Sequence, residues 1–189
     1  MTPPSVDAAR VRGRWILIAL FVLFFGSAAG AGLLRFSGWQ PAGMRNHGQL
    51  LKPAVDLRLV TPKLAEGGDY AWLQPQKTWR IALAPLPGCQ ADCVDLGNSL
   101  DTVWQLFGHN ADQVHILWIG TPPAGASHSA GLRVLAPDPK LRAALPQVDD
   151  PAGVPVYIID PNGFVIMRFA PGFDPADLRS DVAKLLKLI

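Results

Sequence analysis

The chain has 189 residues, of which 49% are hydrophobic and only 17% are charged, and its formal net charge is +2 at pH 7. This composition excludes a disordered chain, in which hydrophobic residues are few and net charge is high. The length suits one domain with a short appendage, and the hydrophobic content falls short of a protein that crosses a membrane several times.

The first predicted element is an apolar helix near the N-terminus. Trp15 to Leu34 is a run of twenty residues without a charge, and a helix of that length spans the hydrocarbon core of a bilayer. We therefore predict a transmembrane anchor at residues 15–34. Four arginines flank this run, three before it and one after it: Arg10, Arg12, Arg14 and Arg35. By the positive-inside rule, residues 1–14 are expected in the cytoplasm and the rest of the chain in the periplasm, as in a single-pass protein of the inner (cytoplasmic) membrane.

A cleaved signal peptide is the alternative interpretation of the same segment, with Ala29-Gly30-Ala31 as its cleavage site. The apolar run is longer than the core of a signal peptide and continues past this site to Leu34, which favours the anchor. Both interpretations export the same domain.

The exported part of the chain is nearly neutral. The first 35 residues carry four arginines and one aspartate, so the remaining 154 residues carry 13 basic and 14 acidic side chains. Nucleic-acid binding needs a basic patch or stripe, which this sequence does not contain, so we expect no nucleic-acid partner. Residues 35–54 are rich in glycine and proline, which predicts a membrane-proximal linker. Residues 55–189 are long enough for one well-packed domain.

The exported domain begins with two predicted strands and a helix. Val55–Val60 alternates apolar and polar residues, as a half-buried strand does. Trp79–Ala84 is almost wholly apolar and ends at Pro85, which predicts a central strand. The segment after Cys89 has apolar residues three and four apart as far as Gly108, which predicts a helix that ends there.

The middle of the domain is predicted to alternate strands and helices. Val114–Ile119 is a second buried strand and Leu132–Leu135 a short third one, followed by a helix over residues 139–145. Val154–Ile159 and Phe164–Phe169 flank an Asn-Gly pair, which predicts a β-hairpin.

The last predicted helix starts at Asp174, which suits an N-cap, and has Pro175 at its first helical position. Its apolar residues fall on one face. The order of elements is strand–helix–strand–helix–strand–strand–helix. This order predicts an α/β sandwich in which crossover helices join parallel strands and a hairpin completes a mixed sheet.

The chain contains two cysteines, Cys89 and Cys93. In an oxidising compartment an isolated pair is typical of a structural disulfide, but a bridge across three intervening residues closes a very small loop and constrains the unfolded chain little. Cys89 also follows a strand and a turn and opens a helix, where the helix dipole and free N–H groups stabilise a thiolate. A thiolate is both the nucleophile of disulfide exchange and a soft ligand for Cu(I), and the spacing does not choose between these uses.

With a CxxxC pair directly after the first central strand, residues 55–189 resemble the thioredoxin-like superfamily, and within it the Sco/SenC proteins of cytochrome oxidase assembly. Thioredoxins themselves have CxxC, so the extra residue favours the Sco-like branch. Gly153-Val154-Pro155 at the head of a strand is similar to the cis-proline segment that faces the redox cysteines in thioredoxins. The resemblance implies a thioredoxin-like sandwich with a central mixed sheet, in which Trp79–Ala84 lies between Val114–Ile119 and Val154–Ile159.

The resemblance departs from the family pattern at the copper site. Sco proteins bind copper through both cysteines and a histidine a few residues before the closing hairpin, and here Ala152 stands at about that position. Cys89 and Cys93 remain candidate Cu(I) ligands, and His128, in a loop of small residues, is the candidate third ligand. His115 lies within a strand and is expected to be a satisfied core or edge residue.

The favoured hypothesis is a membrane-anchored periplasmic thiol–disulfide protein that assists copper-site assembly in cytochrome c oxidase. Cys89 would be the attacking thiol, Cys93 the resolving one, and Pro155 would shape the groove for the partner. The partner would be a protein with redox-active or copper-binding cysteines, such as an oxidase subunit. Two alternatives stay open: a Cu(I) carrier that uses Cys89 and Cys93 with a third ligand from His128 or the partner, and an assembly scaffold without chemistry.

Overall fold

A computed structural model of the chain describes residues 6–37, 46–127 and 129–188. The chain divides into two compact units, Met1–Arg45 and Asn46–Ile189. The second unit carries the sheet and both cysteines.

The first unit contains helix α1, Val6–Phe36. Within it, Gly13–Leu34 is long and apolar enough to cross a membrane. Its large side chains, Leu23 and Phe24 among them, are exposed, as expected of a helix that does not pack into a protein core. The predicted apolar helix is confirmed, and its length and composition make it a candidate membrane span.

The second unit is built on a six-stranded mixed sheet. Its strands are β1 (Gln49–Asp56), β2 (Trp79–Leu83), β3 (Val114–Ile119), β4 (Leu132–Leu135), β5 (Val156–Ile159) and β6 (Phe164–Phe169). Their order across the sheet is β1-β6-β5-β2-β3-β4. β2, β3 and β4 run parallel, whereas β5, β6 and β1 join the sheet through antiparallel pairs. The expected position of β2 between β3 and β5 is confirmed.

Helices cover both faces of this sheet. They are α2 (Ala91–Gln105), α3 (Pro139–Ala144) and α4 (Pro175–Leu185). Side chains alternate along a strand, so Ile81 of β2 packs into one core with α2 and α4. Its neighbour Ala82 packs into the opposite core with Leu141 of α3. The sandwich predicted from the order of elements is therefore observed.

The first strand lies earlier in the chain than the alternation of Val55–Val60 predicts. β1 covers Gln49–Asp56 and pairs with β6 at the sheet edge, with a shift of register around Pro53. An edge strand tolerates a proline because the missing N–H needs no partner on the solvent side. After β1 the chain turns, and Leu57 is fully buried in the second core. The alternation of residues 57–60 thus reflects a turn anchored by one buried side chain.

A buried arginine organises the polar part of the second core. Arg80 of β2 is completely buried. Its guanidinium donates to the carbonyl of Asp160 at 2.7 Å, to the carbonyl of Trp72, and from Nε to the hydroxyl oxygen of Tyr70 at 3.1 Å. The Tyr70 hydroxyl lies 2.9 Å from Nδ1 of His115. Since its oxygen already accepts from Arg80, the hydroxyl proton is directed to His115, whose Nδ1 accepts it. His115 is therefore a satisfied, neutral residue, as expected.

We expect His115 to make the protein less stable as the pH falls from about 6.5 to about 4. Burial, with Arg133 and Arg80 nearby, lowers the pKa of His115 from 6.5 to about 4. In that window the unfolded chain binds a proton at this position and the folded chain does not, so the free energy of unfolding falls, by about 2 kcal/mol in all. Above about pH 7.5 both states are neutral at this position, and the free energy of unfolding no longer depends on pH through His115.

Urea unfolding of the full chain at pH 7.5, 5.5 and 4.5 measures this effect. His115→Gln keeps an acceptor for Tyr70 but cannot titrate, so it should lose most of the pH dependence of stability between 6.5 and 4. Equal slopes of stability against pH in the two proteins would contradict the assignment.

Candidate functional site

The two cysteines stand where β2 gives way to α2. After β2 the chain makes a turn through Gly88, whose φ of +89° favours glycine, and the N–H of Cys89 donates to the carbonyl of Leu86 at 3.3 Å. Helix α2 begins at Ala91, so Cys89 lies just before the helix and Cys93 in its first turn. Strand, turn and helix together hold both sulfur atoms at one end of the sheet.

Cys89 and Cys93 are joined by a disulfide with their Cα atoms 5.8 Å apart. Their environments differ: Cys93 is 0% exposed and belongs to the core between the sheet and helices α2 and α4, whereas Cys89 is partly buried and packs against its edge. Cys89 is therefore the more accessible of the two sulfur atoms, and Cys93 is enclosed by the core.

Cys89 directly precedes Gln90, the N-cap residue of α2. In the part of the chain that the structure describes, no side chain caps this helix, because Gln90 at the N-cap makes no such hydrogen bond. The first N–H groups of a helix have no partner within it and carry the positive end of its dipole. They would stabilise a thiolate at Cys89 once the disulfide is reduced.

Two clefts flank Cys89. We call the larger cleft, of about 550 Å³, the proline cleft. It runs towards the C-terminal end of β3 and the start of α3. Its lining includes six prolines: Pro85, Pro87, Pro122, Pro123, Pro137 and Pro139. The other, of about 490 Å³, we call the aspartate cleft; it runs towards the loop before β5 and is lined there by Asp149, Asp150, Pro151, Gly153 and Val154.

Pro155 lies behind the aspartate cleft. It is buried, while the two residues before it line the cleft together with Cys89. The expected similarity to a cis-proline segment is wrong in one respect. Among the described residues the cis peptide bond is Lys52–Pro53, and the Val154–Pro155 bond is trans. Trans is the preferred form of such a bond, and Gly153, with φ at +136°, supplies the local reversal of the chain.

The aspartates of the aspartate cleft are held by arginines. Asp149 pairs with Arg142 at 2.5 Å, and Asp150 pairs with the buried Arg168. A hydrogen bond from the N–H of Ala152, together with Arg168, lowers the pKa of Asp150. The arginine within the otherwise apolar β6 is the sequence signal for such a pair, because a buried guanidinium needs a carboxylate partner.

The site offers two sulfur ligands and no third one in the described residues. There, no group of three or more histidine, cysteine, aspartate or glutamate side chains is placed to hold a metal ion. Asp149 and Asp150 are committed to arginines, and Ala152 has only a methyl group. His128, the candidate third ligand, lies outside the described residues.

Comparison with known proteins supports this fold. Residues 79–189 match the family described as "Transmembrane-like, thioredoxin-like, C-terminal domain". Among solved structures, BsSco of Bacillus, "a member of the Sco family of cytochrome c oxidase assembly proteins", is 14% identical and superposes with a TM-score of 0.56 over 75% of this chain and 98% of its own. Copper-bound yeast Sco1 is 14% identical, with a TM-score of 0.53 over 78% of this chain and 96% of its own. No relative was found among curated proteins. The predicted resemblance is confirmed at the level of the fold.

We expect Cys89 to be alkylated before Cys93 once the disulfide is reduced. Cys93 is fully buried and must wait for local opening, so iodoacetamide should modify Cys89 at least about tenfold faster. The matched variants Cys93→Ser and Cys89→Ser each leave one thiol. Mass spectrometry after short pulses of the reagent compares them, and equal rates would contradict the assignment of the accessible sulfur atom.

Proposed function

Because the chain belongs to the family of transmembrane-like, thioredoxin-like C-terminal domains, we propose that it is a membrane-anchored thiol–disulfide exchange protein. Its thioredoxin-like domain would lie in the periplasm and assist assembly of the copper site of cytochrome c oxidase. One observation carries the chemistry: a disulfide between an accessible Cys89 and a fully buried Cys93, at the start of a helix. The oxidase is proposed from the fold shared with Sco proteins.

The oxidised protein would accept two electrons from a dithiol partner. A partner thiolate attacks Sγ of Cys89, the Cys89–Cys93 bond breaks, and Cys93 leaves as a thiolate. The second thiolate of the partner then attacks the partner's own sulfur atom in this mixed disulfide, so that the partner gains a disulfide and Cys89 leaves as a thiolate. From the reduced protein the same steps run in reverse, with Cys89 as the attacking thiol and Cys93 as the resolving one.

The surroundings of Cys89 favour this exchange. The uncapped N-terminus of α2 would stabilise the Cys89 thiolate. Cys89 would then be a better leaving group, and a larger fraction of it would be present as the nucleophilic thiolate at neutral pH. Pro155, buried behind Gly153 and Val154, would keep the wall of the aspartate cleft rigid, so that a partner meets a preformed surface. Pro155 is thus proposed to position the partner rather than to react.

A Cu(I) carrier is the second candidate, favoured by two sulfur atoms one helical turn apart. Reduced Cys89 and Cys93 would give two soft thiolates that suit Cu(I), and copper would be cargo. Among the described residues, Ala152 has no donor atom and Asp149 and Asp150 are paired with arginines, so that part of the chain does not complete a three-ligand site. We therefore place exchange with the cysteines of a partner ahead of copper carriage.

We expect the reduced full chain to cycle with a glutathione redox series and to bind Cu(I) weakly against a competing chelator. Ala152→His places an imidazole in the loop whose residues Pro151, Gly153 and Val154 line the aspartate cleft with Cys89, and should raise Cu(I) affinity by about tenfold or more. Ala152→Asn is the matched control of similar size and should not. Tight stoichiometric copper binding by the wild type that His128→Ala abolishes would make the protein a metal carrier.

Substitution of both cysteines distinguishes a function that needs thiol chemistry from a function as an assembly scaffold. In cells that lack the native gene, the double variant Cys89→Ser, Cys93→Ser should fail to restore oxidase activity if exchange is the function. A fully restored oxidase would support a scaffold that keeps the fold without the reaction. A disulfide that resists strong reductants would instead indicate a purely structural bridge.

We expect the C-terminal domain on the periplasmic side. A phosphatase that needs disulfides to fold should be active when fused after Ile189, because only the exported side is oxidising. Intact mass measurement of the membrane protein should show that residues 1–14 are retained. A mature chain that starts near Gly32 would show that the segment is a cleaved signal peptide.

A further inference from the structure

The proline cleft is lined mainly by apolar groups, and its uncharged polar side chains are those of Gln90 and Thr121. Trp118 and Ile119 from the end of β3 line it, and the prolines contribute six backbone positions without an N–H group. A partner cannot extend a β-sheet onto such a wall, since strand addition needs backbone donors. Leu86 lies on the rim next to the disulfide and is 59% exposed.

The charged groups of the proline cleft are already paired. Asp138 caps α3 and accepts from the N–H groups of Lys140 and Leu141 at 2.8 Å and 3.1 Å. Arg142 donates to the carbonyl of Ala84 and to Asp149. An anionic occupant would find Arg142 already paired with Asp149, and an occupant of either charge would lose its hydration in a cleft lined mainly by apolar groups. The cleft is therefore complementary to an uncharged, apolar group.

We propose that the proline cleft binds an apolar side chain adjacent to the reactive cysteine of the partner protein. This inference rests on the proposed function, because Cys89 forms one wall of the cleft and a partner cysteine bonded to its Sγ places the neighbouring residue over the cleft. The occupant is a polypeptide rather than a free apolar molecule, since the covalent step requires its cysteine at Cys89. The preferred targets are cysteines flanked by a leucine-like residue.

The cleft, and not the disulfide alone, would then select the substrate. Small thiols react at Cys89 without entering the cleft, so their rates report the disulfide. Peptides with an apolar neighbour gain the burial of that side chain in the mixed disulfide. The difference between the two kinds of reductant measures the contribution of the cleft.

The test uses the oxidised full chain in lipid nanodiscs, so that no detergent competes for the cleft. Each reduced tetrapeptide carries one cysteine. In the reference peptide this cysteine is flanked by glycines. In the other peptides a leucine or a lysine replaces the flanking glycine on one side of the cysteine or on the other. Stopped reactions analysed by mass spectrometry give the rate of mixed-disulfide formation, with dithiothreitol as the small thiol. The better leucine peptide should react about tenfold faster than the glycine peptide.

Two exposed positions provide matched variants. Thr121 lines only the proline cleft, and Pro151 lines only the aspartate cleft. Thr121→Trp should fill the proline cleft and bring the leucine preference to within about twofold, with an unchanged rate for dithiothreitol. Pro151→Trp should keep the preference. Thr121→Asp adds an unpaired carboxylate and should shift the preference from the leucine peptide to the lysine peptide.

Each other outcome overturns a defined part of this inference. Equal rates for the leucine and glycine peptides in the wild type would show that the cleft does not bind the partner. A preference lost in Pro151→Trp and kept in Thr121→Trp and Thr121→Asp would assign the partner to the aspartate cleft instead. Failure of every thiol, dithiothreitol included, to reduce the disulfide would overturn the proposed function, and this inference with it.

Discussion

The burial of β2 on both faces is the constraint on which the second unit, Asn46–Ile189, depends. Every residue of β2 is buried, and it is flanked by β3 on one side and β5 on the other. A strand covered on both faces cannot shift by one residue without turning its side chains to the wrong core. The end of β2 is therefore held in place, and with it the turn that carries Cys89. The reactive disulfide derives its position from the packing of an apolar strand.

The same constraint gives the two sulfur atoms different roles. Helix α2 follows β2 directly and packs its inner face on the sheet, which brings Cys93 into the core and leaves Cys89 at the edge. Around Cys89 the surface divides into an apolar side and a side with two Asp–Arg pairs. The disulfide is thus flanked by two chemically different walls. In the proposed exchange, selectivity would reside in the walls and reactivity in the helix N-terminus.

A buried carboxylate holds the first residues of the second unit against helix α4. Asp181 of α4 is buried and accepts from the backbone N–H groups of His47 and Gly48 at 2.6 Å and 3.0 Å, and from Lys184 at 2.9 Å. Burial alone would raise the pKa of Asp181, but these hydrogen bonds outweigh it and lower the pKa. A Cβ at Gly48 would lie 2.5 Å from the sulfur atom of Met167, so only glycine fits where the chain enters the sheet. The structure therefore begins its packing at residues that composition alone placed in a linker.

The sequence by itself determined the elements whose signals are local. The bounds of β3, β4 and β6 agree with prediction because compact apolar runs between turn residues need no partner to be recognised, and Asp174 caps α4 as expected. The CxxxC pair after a central strand was equally visible. The tertiary structure alone decided the features that join distant residues: β1 depends on its edge pairing with β6, and Arg168 on Asp150. The position of Cys89 before the predicted helix already favoured it as the attacking thiol, and the packed sheet and helices decided how completely Cys93 is buried.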